Sequence, residues 1–399
     1  MKKKVLISSF DLAIGGVERS LIGLLSQFDY SKYDVDLMLY KHEGEFFPMI
    51  PKGPNLLPEQ ADYATFRKSI KEIAKEKRYP ILLSRVMAKY LSSFQGRVRK
   101  IEEPGYLTIQ YGWDLTAPFL PKAEKKYDAA ISFLWPHHFV GEKVIARKKF
   151  GWIHTDYSNI EVDQKRDEKM WSKMDKIVAV SDECSKTFLD VYPKLHNKTE
   201  VIENIISPKF VKEQAITGSS IGIKRKPGRT ILVSVGRLTH AKGLDDAAKA
   251  CRKLIDQNIN VEWYIVGYGP LENELKKLIK ELDLEDRFFL LGKKTNPYPY
   301  IKACDIYVQP SRYEGKAVTV REAQILEKPI VITDFPTARS QAENGVDAHI
   351  TEMGVDGIVN GIKEVMQNDL LRQTLIQNLQ QTNFESTAEI EKLYSLIEA

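Results

Sequence analysis

The sequence predicts an α/β protein in which helices cover parallel sheets, divided into two domains. Its 399 residues exceed what one hydrophobic core usually serves. Short apolar runs bounded by turn residues alternate with longer segments of helical spacing, which is typical of parallel sheets. This alternation restarts after residues 207–229, a stretch with several Gly, Ser and Pro residues that we interpret as a linker.

Each predicted strand is a short apolar run. In the first half the strands lie at 5–9, 35–40, 129–134, 150–154 and 177–180. In the second half they lie at 230–235, 262–266, 288–291, 306–309 and 330–333, and helices are predicted at 244–258 and 271–282. We therefore expect two Rossmann-like domains, the first formed by residues 1–208 and the second by residues 209–384.

Composition excludes several classes of protein. A hydrophobic content of 43% with 28% charged residues is ordinary for a globular protein. No window approaches about 18 uninterrupted apolar residues, so no transmembrane helix is expected. The basic N-terminus is followed by too short an apolar run for a signal peptide and is interpreted as a buried strand. The three widely spaced cysteines form neither a disulfide framework nor a zinc cluster, and they fit a reducing cytoplasm.

The net charge of +5 is unevenly distributed, because residues 67–100 are strongly basic. Apolar residues interleave with the Lys and Arg side chains, which predicts a pair of basic amphipathic helices. Such helices can lie on an anionic membrane surface or hold an acidic acceptor. They can equally be solvated helices whose other face covers the core of the first domain. Nucleic-acid binding is not expected, because no ribonucleoprotein or helix-turn-helix signature accompanies the charge.

Two segments that each follow a predicted strand could bind phosphate. Gly15 and Gly16 open a helical pattern, where backbone N–H groups can approach an anion, although paired glycines can also make a simple tight turn. Arg237 and Lys242 lie in the loop after the first strand of the second domain. An Arg fork and a Lys point charge suit a diphosphate, and the alternative is two solvated surface cations.

Four further motifs carry weaker signals. The Gly-Tyr-Gly-Pro turn at 267–270 lacks the third glycine of the dinucleotide fingerprint and is better explained as a structural turn. His154 ends an apolar strand, where a functional and a structural role are both open. Adjacent His137 and His138 point apart on an extended chain and offer no metal pair. Asp34-Val35-Asp36 resembles a metal-binding motif, but strand alternation alone explains it.

Near the end of the second half, two glutamates stand in an E-x7-E arrangement. Glu314 falls in the loop after the strand at 306–309, and Glu322 lies about one turn into the following helix. Two carboxylates in such different places can hold different parts of one extended ligand. Their oxygens accept hydrogen bonds from vicinal hydroxyls, and the intervening Gly315, Lys316, Ala317 and Val318 present N–H groups that suit phosphate. Sugar, diphosphate and ribose together describe a nucleotide sugar.

Taken in chain order, these motifs resemble those of the retaining GT-B glycosyltransferases of family 4 (group 1). The motifs are GGVER, WIHTD, GRLTHAKG, VGYGPLENEL and the E-x7-E stretch. Within the family the likeness is greatest to bacterial enzymes that build capsule, exopolysaccharide or wall-polymer glycans. The resemblance implies two Rossmann-like domains facing a central cleft. The first would bind the acceptor and the second the donor, with residues 385–399 crossing back onto the first.

The resemblance also implies a role for each site residue. Gly16 would donate its N–H to the donor diphosphate, which Arg237 and Lys242 would neutralise. Glu314 would hold hydroxyls of the donor sugar, Glu322 those of the ribose, and His154 would lie beside the reacting sugar. The implied catalytic set is His154, Arg237, Lys242 and Glu314, and the implied donor-binding set is Gly15, Gly16, Arg237, Lys242, Glu314, Gly315, Lys316, Ala317, Val318 and Glu322.

Three features depart from the family pattern. Lys316 stands where many relatives carry an aromatic residue, and residues 203–206 replace the commoner Pro-Asn-Gly of the interdomain crossing. The basic 67–100 segment is the least family-like region, and we expect acceptor choice to depend on it.

The resemblance implies a retaining, metal-independent transfer from a nucleoside diphosphate sugar, with uridine as the expected nucleoside and no further cofactor. The acceptor would be a glycan, a lipid-linked glycan or a polymer in cell-surface polysaccharide or glycoconjugate synthesis. The expected location is the cytoplasm, and a peripheral position on the inner face of the membrane is left open. Two alternatives are a nucleotide-sugar epimerase on the same fold and a catalytically silent partner of another glycosyltransferase.

Overall fold

The computed structural model describes residues 2–13, 15–101, 105–217, 222–314, 317–385 and 387–399. The chain forms two compact units, each built around its own sheet. The first unit comprises Met1–Ile205 and Thr387–Ala399, and the second comprises Ile206–Ser386.

A seven-stranded sheet organises the first unit, with every strand pair parallel and the order β3-β2-β1-β4-β5-β6-β7. Its strands are β1 (Lys3–Ser9), β2 (Tyr33–Leu39), β3 (Asn55–Leu56), β4 (Lys126–Ser132), β5 (Ile145–Ile153), β6 (Lys176–Ala179) and β7 (Thr199–Val201). The strand order reverses beside β1, so the loop after β1 lies at a topological switch point.

The helices of the first unit are α1 (Gly16–Gln27), α2 (Ala61–Ala64), α3 (Ile70–Lys75), α4 (Tyr79–Arg99), α5 (Gly105–Thr116), α6 (Gln164–Trp171), α7 (Asp182–Val191) and the last helix of the chain, α15 (Thr387–Glu398). Tyr394 of α15 stacks on Tyr33, with 4.9 Å between the ring centroids. This packing and an ion pair of 2.6 Å between Lys3 Nζ and Glu398 Oε2 attach the C-terminal helix to the start of the sheet.

The second unit contains a six-stranded parallel sheet with the order β10-β9-β8-β11-β12-β13. Its strands are β8 (Thr230–Val235), β9 (Val261–Val266), β10 (Phe288–Leu290), β11 (Ile306–Gln309), β12 (Ile330–Thr333) and β13 (His349–Thr351). Its helices are α8 (Pro208–Thr217), α9 (Leu244–Asp256), α10 (Glu272–Glu281), α11 (Tyr298–Ala303), α12 (Val318–Ile325), α13 (Gly354–Gln367) and α14 (Asp369–Gln381). All six residues of β9 are buried, because helices cover both faces of a parallel sheet.

The prediction of α/β architecture with two parallel sheets is confirmed, and each predicted strand overlaps an observed one. The prediction of a linker at 207–229 is wrong over its first half, where α8 lies. Val211 and Ala215 of that helix are buried in the core of the second unit, which makes α8 part of the domain. The prediction followed the Gly-Ser cluster and gave too little weight to Pro208 as the first residue of a helix. Strands β3, β7 and β13 were missed, since two or three residues carry no readable alternation.

Candidate active site

The loops after β8 and β11 meet at the switch point of the second sheet. Strand β8 pairs with β9 on one side and with β11 on the other, so the strand order reverses between β8 and β11. Ligands of open α/β sheets bind in the crevice at such a point, beyond the carboxyl ends of the strands. The predicted Arg237 and Lys242 follow β8, and Glu314 follows β11, so all three lie at this edge.

Gly243 allows these two loops to touch. Its φ of +60° lies in the left-handed region that favours glycine, and it caps the N-terminus of α9. A Cβ at this position would lie 2.1 Å from the carbonyl oxygen of Pro310. Any other residue would therefore strain the backbone and push the β11 loop away from Lys242.

An arginine that the sequence analysis did not single out fixes the same contact. Arg312 donates from Nη1 and Nη2 to the two carboxylate oxygens of Asp245, both at 2.8 Å, and from Nη2 to Asp246 Oδ2 at 2.6 Å. Its backbone N–H donates to Ala241 O at 2.8 Å. Hydrogen bonding to Asp245 raises the pKa of Arg312, so the clamp stays charged. The Asp-Asp pair at the start of α9 was the only sequence signal for it.

Lys242 and Glu314 form an ion pair inside the clamped region. The ammonium Nζ of Lys242 donates to Glu314 Oε1, and the two side chains are 20% and 10% exposed. The same carboxylate oxygen accepts from Ser311 Oγ at 2.7 Å and from Gln309 Nε2 at 3.0 Å. Glu314 is therefore held by one charged and two neutral donors.

Gln309, itself buried, is oriented by two hydroxyl groups. Tyr307 Oη donates to Gln309 Oε1 at 2.8 Å, and Thr319 Oγ1 donates to the same oxygen at 3.2 Å. These bonds fix which end of the amide is the acceptor, so Nε2 points at Ser311 and Glu314. No sequence pattern predicted this hydrogen-bond network.

Arg237 is exposed, and its side chain makes no hydrogen bond or ion pair with the part of the chain that the structure describes. Its neighbour Gly236 is fixed by a hydrogen bond of 3.0 Å from its N–H to Val266 O. A Cβ on Gly267 would lie 1.8 Å from Gly236 O, and one on Gly269 would lie 2.5 Å from Leu238 O. The two glycines of the Gly-Tyr-Gly-Pro turn thus let its backbone support the Arg237 loop, which agrees with a structural turn.

Glu322 lies in α12 with its side chain fully buried, and its Oε1 accepts from Tyr298 Oη at 3.0 Å. Of the N–H groups at the start of α12, that of Ala317 donates to Gln341 Oε1 at 2.7 Å. Val318 is the first residue of the helix and is buried, whereas Gly315 and Lys316 lie outside the described residues. Glu314 and Glu322 therefore have different environments, one in a polar loop and one in the core.

In the first unit, Gly15 is the N-cap of α1 and Gly16 is its first residue. A Cβ on Gly16 would meet no atom within 4 Å, so space is open beside this turn. Glu18 folds its carboxylate back toward Gly15 at the helix N-terminus, where the positive end of the helix attracts negative charge. The sequence-predicted turn is thus at the switch point of its own sheet.

His154 follows β5 in the first unit, with its ring packed on Phe133 at a centroid distance of 4.7 Å. Burial lowers its pKa to about 3, and a hydrogen bond to the backbone of Phe133 acts in the opposite direction. Its Nε2 is buried and has no hydrogen-bond partner among the described residues. His154 is therefore a neutral imidazole.

The remaining motifs have structural roles. His137 is buried and its Nδ1 lies 2.8 Å from Ser132 Oγ, and His138 Nε2 lies 3.0 Å from Asp114 Oδ1. Asp36 Oδ2 accepts from Lys125 Nζ and from Tyr127 Oη, both at 2.8 Å. That carboxylate stabilises the sheet of the first unit.

Comparison with known proteins bears on this site. Residues 220–382 match the family described as "Glycosyl transferases group 1". This part of the chain is therefore similar to group 1 glycosyltransferase domains. It contains every site residue predicted in the second unit, from Arg237 to Glu322.

One relative of this chain is the N-acetylgalactosamine-N,N'-diacetylbacillosaminyl-diphospho-undecaprenol 4-alpha-N-acetylgalactosaminyltransferase of Campylobacter jejuni, 30% identical over 44% of this chain and 46% of the relative. Another is the UDP-Gal:alpha-D-GlcNAc-diphosphoundecaprenol alpha-1,3-galactosyltransferase of Escherichia coli, 28% identical over 38% of this chain and 40% of the relative. The matched part thus spans less than half of either relative.

The fold resembles that of Anabaena Alr3699/HepE in complex with UDP, with a TM-score of 0.65 at 16% identity over 100% of both chains. At this identity the similarity shows the GT-B fold alone, which confirms the predicted fold family.

Proposed function

We propose that this chain transfers a sugar from a nucleoside diphosphate sugar, with uridine as the nucleoside, to a glycan, lipid-linked or polymer acceptor. The product would belong to a cell-surface polysaccharide or glycoconjugate. The names of the Campylobacter and Escherichia relatives, which specify diphosphoundecaprenol acceptors, and the UDP bound to the Anabaena protein support this choice. The cysteines of this chain, Cys184, Cys251 and Cys304, are free and buried, which suits the proposed cytoplasmic location.

The observation that carries the proposal is the Lys242–Glu314 pair at the switch point. A nucleotide sugar can satisfy both partners at once, since its diphosphate takes the ammonium and its sugar hydroxyls donate to the carboxylate. Arg237, exposed at the same edge, adds a second positive charge for the diphosphate. The hydrogen bonds from Gln309 and Ser311 keep Glu314 in place during this exchange.

For the transfer step we propose attack on the same face of the sugar as the departing diphosphate. The anomeric carbon–phosphate oxygen bond breaks, a bond to the acceptor oxygen forms, and the leaving phosphate oxygen takes the acceptor proton. The anomeric configuration is then retained. Lys242 and Arg237 stabilise the charge that develops on the leaving group, which is a preorganised electrostatic contribution and needs no metal ion in this scheme. His154, a neutral imidazole, would hydrogen-bond to the reacting sugar or guide the acceptor.

A transfer assay with a panel of nucleotide sugars and lipid-linked acceptors tests the proposal. Lys242→Ala should lower transfer at least ~100-fold, because one preorganised charge contact is lost. Lys277→Ala is the matched control, since Lys277 pairs with Glu281 on the exposed face of α10. Near-wild-type turnover of Lys242→Ala would contradict the assignment.

Two further measurements separate the alternatives. The anomeric configuration of the product, read by NMR, tests retention, and activity in a chelator tests metal independence. Isomerisation of a nucleotide sugar without acceptor would instead support an epimerase. If the chain alone shows no turnover and transfer is seen only when a second transferase is added, the chain would instead be a catalytically silent partner.

A further inference from the structure

Helix α4 buries mostly small residues and exposes large apolar ones. The face buried against the first unit consists mainly of small residues at i, i+4 spacing, namely Ile81, Ser84, Ala88, Ser92 and Gly96. Small residues allow close packing on α5, where Thr108 Oγ1 donates to Ser92 Oγ at 2.7 Å. Most of the large apolar residues of α4 lie on the opposite side.

That outer side exposes a continuous apolar stripe. Leu83 is 68% exposed and Tyr90 is 72% exposed. The full stripe consists of Tyr79, Leu83, Val86, Met87, Tyr90, Phe94 and Val98. These positions recur every three or four residues and therefore form one helix face, which runs about 30 Å along a helix of this length. The sequence analysis left open whether the basic segment simply covers the core. In α4, most of the large apolar residues are exposed instead.

Helix α4 itself carries charge of a single sign, whereas the exposed Glu72 and Glu76 lie among the lysines of α3. Helix α4 contains no Asp or Glu, and Lys89 and Arg97 are exposed beside the stripe. Lys71 and Lys75 on α3 are exposed as well. None of these four cations has an ion-pair partner within the described ranges of the chain.

We propose that this outer face of α4 docks on an anionic lipid bilayer, lying in its surface. The acyl region would take the apolar stripe, and the negatively charged headgroups would take the flanking cations. Tyr79 and Tyr90, each with an apolar ring and a polar hydroxyl, suit the boundary between the two regions. A second copy of this chain is the less favourable occupant, because it would bring the same cations together. No helix in the described part of the chain is long and apolar enough to cross a membrane, and surface docking requires none.

The inference extends the proposed function and is tested without it. Full-length protein is mixed with vesicles of phosphatidylcholine alone or with about 30% phosphatidylglycerol, and bound protein is measured by flotation. We expect binding to the anionic vesicles, at least about tenfold weaker binding to the neutral ones, and a further weakening with salt. Leu83→Ser with Tyr90→Ser should lower anionic-vesicle binding by about tenfold, and Lys89→Glu with Arg97→Glu by a similar factor.

The matched control is Ile216→Ser with Leu370→Ser, which removes two exposed apolar side chains of the second unit, 69% and 77% exposed. This variant should bind as wild type does. Because all the substituted residues are exposed, circular dichroism should show intact folding of each variant. The proposal is overturned if the wild type does not bind anionic vesicles. It is overturned likewise if Leu83→Ser with Tyr90→Ser binds these vesicles as tightly as the wild type does. It is also overturned if light scattering shows a dimer that only Leu83→Ser with Tyr90→Ser dissociates, with vesicle binding unaffected.

Discussion

Glu314→Gln should separate binding of the diphosphate from transfer of the sugar. The substitution keeps the size of the side chain but removes the charge that pairs with Lys242. In this variant, Lys242 can bind a diphosphate without first breaking an ion pair. The variant should therefore bind the diphosphate more tightly and transfer the sugar more slowly.

The magnitudes of both effects follow from the contacts. A charge-assisted hydrogen bond contributes about 1.5–3 kcal/mol and an exposed ion pair about 0.2–1 kcal/mol. This pair is partly exposed, so we use about 1 kcal/mol. Since loss of about 1 kcal/mol changes an equilibrium about fivefold, UDP should bind Glu314→Gln three- to tenfold more tightly. Transfer should fall at least ~100-fold, because the amide can no longer accept two sugar hydroxyl bonds as a carboxylate does.

Isothermal titration with UDP and a steady-state transfer assay measure the two effects on the same preparation. Glu281→Gln is the control, because Glu281 pairs with Lys277 on exposed α10 at 3.5 Å and should change neither quantity. Weaker UDP binding together with unchanged transfer would show that Glu314 does not compete for Lys242 and does not contact the sugar.

Two other substitutions test the contacts around Lys242 and Glu314, and a change of pH tests a buried histidine of the first unit. Ser311→Ala removes the 2.7 Å bond to Glu314 and should lower kcat/KM about fivefold with UDP affinity unchanged, whereas Ser395→Ala on exposed α15 should have no effect. Arg312→Met breaks the clamp to Asp245 and should destabilise the chain by about 1–2 kcal/mol in urea unfolding and raise KM for the donor. Burial holds the pKa of His137 well below 6.5, so its contribution to stability is complete above pH 6.5 and is lost as pH falls. Lowering the pH from about 7 to about 5 should therefore lower the free energy of unfolding, measured by urea unfolding at each pH, and His137→Gln should reduce that loss.

The sequence predicted the placement of the site better than its internal contacts. Because parallel strands end at one edge, Arg237, Lys242 and Glu314 could be assigned to one region from strand periodicity and the family motifs alone. The pairing of Lys242 with Glu314 joins residues 72 positions apart and depends on how side chains pack, which no periodicity records. The clamp by Arg312 and the use of the Ala317 N–H by Gln341 have the same origin.

Burial was the second property that motifs could not supply. The sequence places Glu322 in a helix, about one turn beyond a binding loop. In the structure its carboxylate is fully buried beside Tyr298. Helix α4 shows the converse, because its large apolar residues fit a core pattern and are exposed. In both cases the neighbouring segment decides which face is covered, and α5 packs on the small residues of α4.

The ion pair also explains how two partly buried charges are stable at the site. An unpaired ammonium or carboxylate in a partly buried loop would lose hydration without compensation, and pairing Lys242 with Glu314 avoids this loss. A complete donor replaces the pair with two new interactions, one from the diphosphate and one from the sugar hydroxyls. UDP alone replaces only the first and leaves Glu314 with the neutral donors Gln309 and Ser311. The site should therefore discriminate in favour of the intact nucleotide sugar over its spent product, which helps product leave after transfer.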